Sequence, residues 1–176
     1  MGLQLIFVVE TNEKCKSDWI YIKSVLNQYY TYGANVKIST VYMDGRGNYK
    51  KKQSMIKTMI SQYKKASDNN ETKVIYCFDC DRYDTNPDDR DFLNISQKYC
   101  NEKGYEYIWF CRDVESVFLG RKIPDKQKKR EAAKYKAKNL VTRVDKARLS
   151  QKDFGENRSN ILVVLDKYIP LLERKR

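Results

Sequence analysis

A chain of 176 residues, 41% of them hydrophobic, can build one compact domain around one core. No apolar run approaches the ~20 residues of a membrane span, and the run at residues 3–9 meets Glu10 at once, too short for a signal peptide; a cytoplasmic protein without membrane contact is expected. Histidine is absent, which removes Ser/His and Cys/His triads, imidazole acid–base work and His-ligated metals together, and leaves catalysis to carboxylates, Lys, Arg, Tyr or a bound metal.

Residues 3–9 (Leu-Gln-Leu-Ile-Phe-Val-Val) read as a strand buried on both faces. From Ser17 to Tyr30, Trp19, Ile22, Val25, Leu26 and Tyr29 recur at helical spacing, and Gly33 supports a stop soon after. Residues 36–43 alternate and are β-branched, the pattern of a second strand. Asp44 to Asn48 is a loop, followed by a helix from about Lys51 to Lys65 and a third strand at residues 73–78. Pro87 with Asp88 and Asp89 forms the first turn of a helix reaching about Lys103, which Gly104 closes. A fourth strand follows at residues 105–110, then a short segment around Val114–Leu119. A basic helix is expected from about Asp125 to Leu149 and a last one from about Arg158 to Leu172, with Gln151 to Asn157 as linker. The order βαβαβαβ with short connections predicts an α/β fold: a parallel four-stranded sheet with helices on both faces, over residues 1–120. Residues 121–176 are expected as a basic helical extension packed on the same domain.

The net charge of +12 is unevenly placed. Between Arg121 and Lys152 thirteen Lys/Arg face three Asp/Glu, whereas the remainder carries 22 basic and 20 acidic residues. A near-neutral body with one basic segment is the footprint of a polyanion binder, against the plainer reading of a solvated helix face. The five cysteines have no framework spacing, and Cys77-Phe78-Asp79-Cys80 lies inside an extended apolar run, so reduced, structural cysteines are expected.

Ligands of a parallel α/β sheet collect beyond the carboxyl ends of its strands. Glu10 ends the first strand, Asp79 the third, and Asp81 lies two residues on, where an extended chain projects it to the same side as Asp79. Carboxylates so gathered repel one another unless a hard cation joins them, and oxygen-only ligation favours Mg²⁺ or Mn²⁺. Asp81, Asp84, Asp88 and Asp89 also suit plain turn and helix caps.

Glu10 after Leu-Ile-Phe-Val-Val, and Asp79-Cys80-Asp81 after Val-Ile-Tyr-Cys-Phe, resemble the two acidic motifs of the Toprim domain, the metal-binding core of topoisomerases, bacterial primases, OLD-type nucleases and recombination-repair proteins. The chain is more closely similar to small stand-alone Toprim proteins of the RloB and abortive-infection type, through Asp113-Val114-Glu115-Ser116 and Ser159-Asn160-Ile161-Leu162. The likeness covers residues 3–120 and the tail only loosely. It implies a Toprim-like, Rossmann-like fold and a Mg²⁺-dependent nuclease acting on DNA or RNA, with a place in phage defence and room for a partner ATPase. Glu10 would be the acid–base glutamate, Asp79 and Asp81 metal ligands with Glu10, and Glu115 a further catalytic acid. One departure stands out: the family has glycine directly after the glutamate, where this chain has Thr11.

Arg46, in Asp44-Gly45-Arg46-Gly47 after the second strand, is a candidate phosphate clamp, though an ordinary turn suits that segment equally. Arg82 and Arg112 flank the acidic motifs, and Lys128, Lys129 and Arg130 head the basic segment; all are candidate nucleic-acid contacts. Three alternatives remain: a haloacid-dehalogenase-type phosphatase, whose Asp-x-Asp ends its first strand rather than its third; a glycosyltransferase; and a non-catalytic nucleic-acid-binding module or scaffold of a defence or repair complex.

Overall fold

The computed structural model describes residues 2–175. In chain order its elements are β1 (Leu3–Val9), α1 (Ser17–Tyr29), β2 (Tyr30–Thr31), β3 (Val36–Tyr42), α2 (Gln53–Ala66), β4 (Glu71–Asp79), α3 (Pro87–Lys103) and β5 (Glu106–Cys111). There follow α4 (Val114–Leu119), α5 (Asp125–Ala137), α6 (Lys146–Leu149), β6 (Arg158–Ser159), α7 (Ile161–Leu165) and β7 (Glu173–Arg174). The central sheet runs β3-β1-β4-β5-β6, and its first four strands are parallel. All seven residues of β1 are buried, as a strand covered on both faces requires. Leu3, Leu5, Phe7 and Val9 pack with α1, α4, α5 and α7, while Ile6 and Val8 pack with α2 and α3. This α/β arrangement fits a Rossmann-like fold. Among the described residues no helix is long and apolar enough to cross a membrane.

The caps explain the helix bounds. Asn86 accepts from the Asp88 N–H at 2.9 Å, Pro87 occupies the first helical position, and Gly104 ends α3 in the left-handed region at φ 66°. Asp113 caps α4 by accepting from the Ser116 N–H at 2.7 Å.

The tail departs from expectation. The basic helix does not run on to Leu149: α5 stops at Ala137, and Asn139 takes φ 48°, which asparagine tolerates better than most side chains. A 3₁₀ turn at Leu140–Arg143 leads to α6, capped by Asp145. The final helix also begins later, because Arg158–Ser159 forms a fifth, antiparallel strand of the sheet on β5. Asn160 extends that pairing with its side chain, accepting from the Trp109 N–H at 3.0 Å and donating to the Tyr107 carbonyl at 2.9 Å. Only then does α7 start, and β7 closes the chain against β2. The C-terminal part is thus not purely helical, and its Ala132, Tyr135, Val141, Leu149, Ile161 and Leu165 share one cluster with β1 and α1.

The cysteines also depart from expectation. Cys80 and Cys111, expected to be reduced, are paired as a disulfide with Cα atoms 4.9 Å apart; Cys15, Cys77 and Cys100 are free. Because Asp79 stands opposite Phe110 in the β4–β5 register, the two cysteines one step further on become neighbours.

Candidate functional site

Four parallel strands deliver their carboxyl ends to one edge, and with them Glu10 from β1, Asp79 and Asp81 from β4, and Arg112 and Asp113 from β5. A cleft of about 790 Å³ opens there. Asp79, Asp81, Asp113 and Ser116 line it together with Arg82, Arg112, Arg121, Lys122 and Lys128. The loop 151–157 adds Glu156 and Asn157.

Glu10 Oε1 accepts from the Asp79 backbone N–H at 2.9 Å, tying the end of β1 to the end of β4. Burial raises its carboxyl to about 8; the Asp79 hydrogen bond opposes that rise, and the charges of Asp18 and Asp81 add to it. Asp79 Oδ1 accepts from the Val114 N–H at 3.0 Å, at the start of α4. Burial first, then the charges of Glu10, Asp18, Glu115 and Asp113, raise Asp79 well above the usual carboxylate range. Glu115 is wholly buried, and neither of its carboxylate oxygens has a hydrogen-bond partner. Burial pushes it up to about 7, against the pull of Lys128, whose Nζ lies 3.3 Å from Oε2.

Asp79 and Asp81 do not behave as an extended i, i+2 pair. Asp81 takes φ 48°, the strand alternation ends there, and its carboxylate pairs with Arg46 at 2.7 Å while Asp79 turns to α4. Arg46 is held on both sides, reaching Asp89 at 2.6 Å with its other nitrogen and lying 4.7 Å over the Phe92 ring. Arg112 pairs with Asp84 at 3.0 Å on an exposed rim, and the Arg82 N–H donates to Asp89 at 3.1 Å. Lys129 and Arg130 lie on the solvent side of α5, whereas Lys128 turns inward with its side chain 22% exposed.

Sequence reasoning passed over Asp18, buried in the first turn of α1, where it accepts from the Thr11 N–H at 3.1 Å. A polar residue on the inner stripe of an otherwise apolar helix was the available signal. It also passed over the inward turn of Lys128, which the spacing back from Ala132 and Tyr135 by one helical turn shows. The turn after Glu10 is closed by Asn12, whose side chain accepts from the N–H groups of Lys14 and Cys15 at 3.0 and 2.9 Å.

Among the described residues no group of three or more Asp, Glu, Cys or His is placed to hold a metal ion as the side chains stand. The donor chemistry nonetheless suits a hard cation. Glu10, Asp79 and Glu115 are oxygen donors only, in a desolvated site, and neither Glu115 oxygen makes a hydrogen bond, Lys128 standing 3.3 Å from one of them. Glu10 and Asp79 would hold such an ion; Asp81 is engaged by Arg46. In comparisons with known proteins the chain matches no family model, no curated protein and no solved structure.

Proposed function

We propose that the chain is a Mg²⁺- or Mn²⁺-dependent nuclease of the Toprim type, cytoplasmic and acting on DNA or RNA. A place in phage defence, alone or with a partner ATPase, follows from the same resemblance. The observation that carries this reading is a set of carboxylates at the carboxyl edge of the sheet: Asp79 lines a cleft rimmed by Arg82, Arg112, Arg121 and Lys122, Glu10 accepts from its backbone N–H, and the buried Glu115 adds its charge nearby. Acidic floor and basic rim suit the two halves of phosphodiester cleavage. The rim holds the phosphates, and the exposed Lys129 and Arg130 extend the positive surface along α5. A cation held by the carboxylates would activate water and stabilise the in-line transition state. Glu10, tied to the Asp79 N–H at the end of β1, would be the group that takes and returns a proton.

A second reading, a non-catalytic nucleic-acid-binding module or scaffold, is favoured by Arg46 and Lys128, which already neutralise Asp81 and Glu115. Glu10→Gln and Asp79→Asn separate the two. Cleavage of a labelled oligonucleotide should fall by about 10²–10⁴-fold in Glu10→Gln, the usual share of general acid–base catalysis, with binding little changed. Unaltered turnover in both variants would remove the assigned site. Binding by the wild type with no metal-dependent cleavage would establish the binding module.

A further inference from the structure

The first two turns of α5 carry Lys126, Lys128, Lys129 and Arg130, yet among these only Lys128 faces the core. The inward stripe of the helix is Glu131, Ala132 and Tyr135, and one turn earlier the same face carries Lys128. Its neighbours Lys126, Lys129 and Arg130 are exposed. The Lys128 ammonium stands 3.3 Å from Glu115 Oε2, on a carboxylate that is fully buried and has no hydrogen-bond donor of its own. Its other ion-pair partner, Asp125 at 3.8 Å, is 97% exposed, so solvent screening leaves that contact little weight. Burial works against the ammonium, but the charges of Glu115, Asp79 and Asp18 outweigh it and hold its pKa above that of an ordinary lysine.

We infer that Lys128 is a built-in counter-ion of the acidic site, which a divalent cation displaces, so that metal binding frees this ammonium for a polyanion in the cleft. The inference rests on the reading of Glu10 and Asp79 as metal ligands. A buried carboxylate left without a positive partner is costly, so the metal-free protein needs a cation among Glu115, Asp79 and Asp18, and Lys128 supplies it. A divalent ion held by Glu10 and Asp79 brings positive charge beside these carboxylates, meets that need and repels the ammonium. Lysine suits such an exchange because its charge rides on a flexible four-carbon stem. Lys128 already lines the cleft with Arg82, Arg112, Arg121 and Lys122, so a short retraction brings its charge among theirs. Coupling of this kind is reciprocal: metal should tighten polyanion binding, and a bound polyanion should tighten metal binding.

The test compares the full chain with Lys128→Met, which keeps an apolar stem and removes the charge, and with Lys129→Met as an exposed control. Mn²⁺ affinity is read by calorimetric titration. Affinity for a labelled single-stranded oligonucleotide is read by fluorescence anisotropy with and without Mn²⁺. Lys128→Met should bind Mn²⁺ about 5- to 150-fold more tightly than wild type, the span of typical coupling energies, and should lose most of the Mn²⁺ effect on oligonucleotide affinity. Lys129→Met should match wild type in Mn²⁺ affinity. If Lys128→Met does not fold without metal, Glu115→Gln is compared with the Lys128→Met, Glu115→Gln double variant, and the double variant should bind Mn²⁺ more tightly. Equal or weaker Mn²⁺ binding after removal of the ammonium overturns the counter-ion role and leaves the metal site standing. No Mn²⁺ binding by wild type or any variant overturns both.

Discussion

The two faces of the sheet treat buried polar groups in opposite ways. On the α2/α3 side Tyr76 donates to the Tyr49 carbonyl and accepts from Gln53, both at 2.9 Å, while Tyr105 donates to the other end of the same Gln53 at 3.1 Å. Tyr107 and Ser96 share a hydrogen bond of 2.9 Å. Among the described residues of that face, Tyr99 alone keeps a buried hydroxyl without a partner. On the α1/α5 side the Tyr21 and Tyr135 hydroxyls and both Glu115 oxygens make no hydrogen bond, next to carboxylates raised by burial and by one another. A core built only for stability satisfies its polar atoms, as the first face does. The second face stores unfavourable desolvation and repulsion, the condition in which a bound cation or polyanion is gained most readily.

The largest effect expected from this contrast lies on two adjacent residues of β4. Phe78 is fully buried and packs against Tyr49, Phe92 and Tyr107, so Phe78→Ala should lose about 3–5 kcal/mol in chemical denaturation, equally with and without Mn²⁺. Asp79→Asn, one residue on, retains an oxygen for the Val114 N–H and removes a repelled charge, so it should stabilise the metal-free protein and cancel any gain from Mn²⁺. A destabilised, Mn²⁺-responsive Asp79→Asn would break the comparison.

A second effect appears with pH. The folded-state carboxyls of Glu10 and Glu115 lie at about 8 and about 7, both raised from 4.5. The native state therefore keeps protons that the unfolded chain has released, and stability present at low pH is lost as pH rises from about 4.5 through 8. Urea denaturation without metal should give a lower unfolding free energy at pH 8 than at pH 5. Glu10→Gln should flatten that decline, and Mn²⁺ at pH 8 should reverse part of it. Stability that rises between pH 5 and 8 would contradict the crowded site.

The smallest stability effect belongs to the exposed part of α5. Lys129→Gln with Arg130→Gln should leave unfolding within about 0.5 kcal/mol of wild type. For every phosphate that these two side chains neutralise, the slope of log K against log salt should nevertheless become shallower by about 0.9 on duplex or 0.7 on single strands. An unchanged slope would make this segment a solvated face and nothing more.

The sequence by itself determined whatever rests on neighbours along the chain. The unbroken apolar run of β1, the helical spacing of α1, the Pro87 start and Gly104 stop of α3, and the βα alternation predict a parallel sheet, and a parallel sheet places Glu10 and Asp79 at one edge. Local signals settle these because backbone preferences and the burial period act within a few residues. The tertiary structure decided what depends on register and distant partners. Arg158–Ser159 became a strand because the edge of β5 was open to pairing, Cys80 met Cys111 through the β4–β5 register, and Arg46 was drawn between Asp81 and Asp89 across the loops. Lys128 belongs to both accounts: helical spacing turns it inward, but only the packing of α5 against α1 and α4 gives it a buried carboxylate to face, because a charge finds its partner through space and not along the chain.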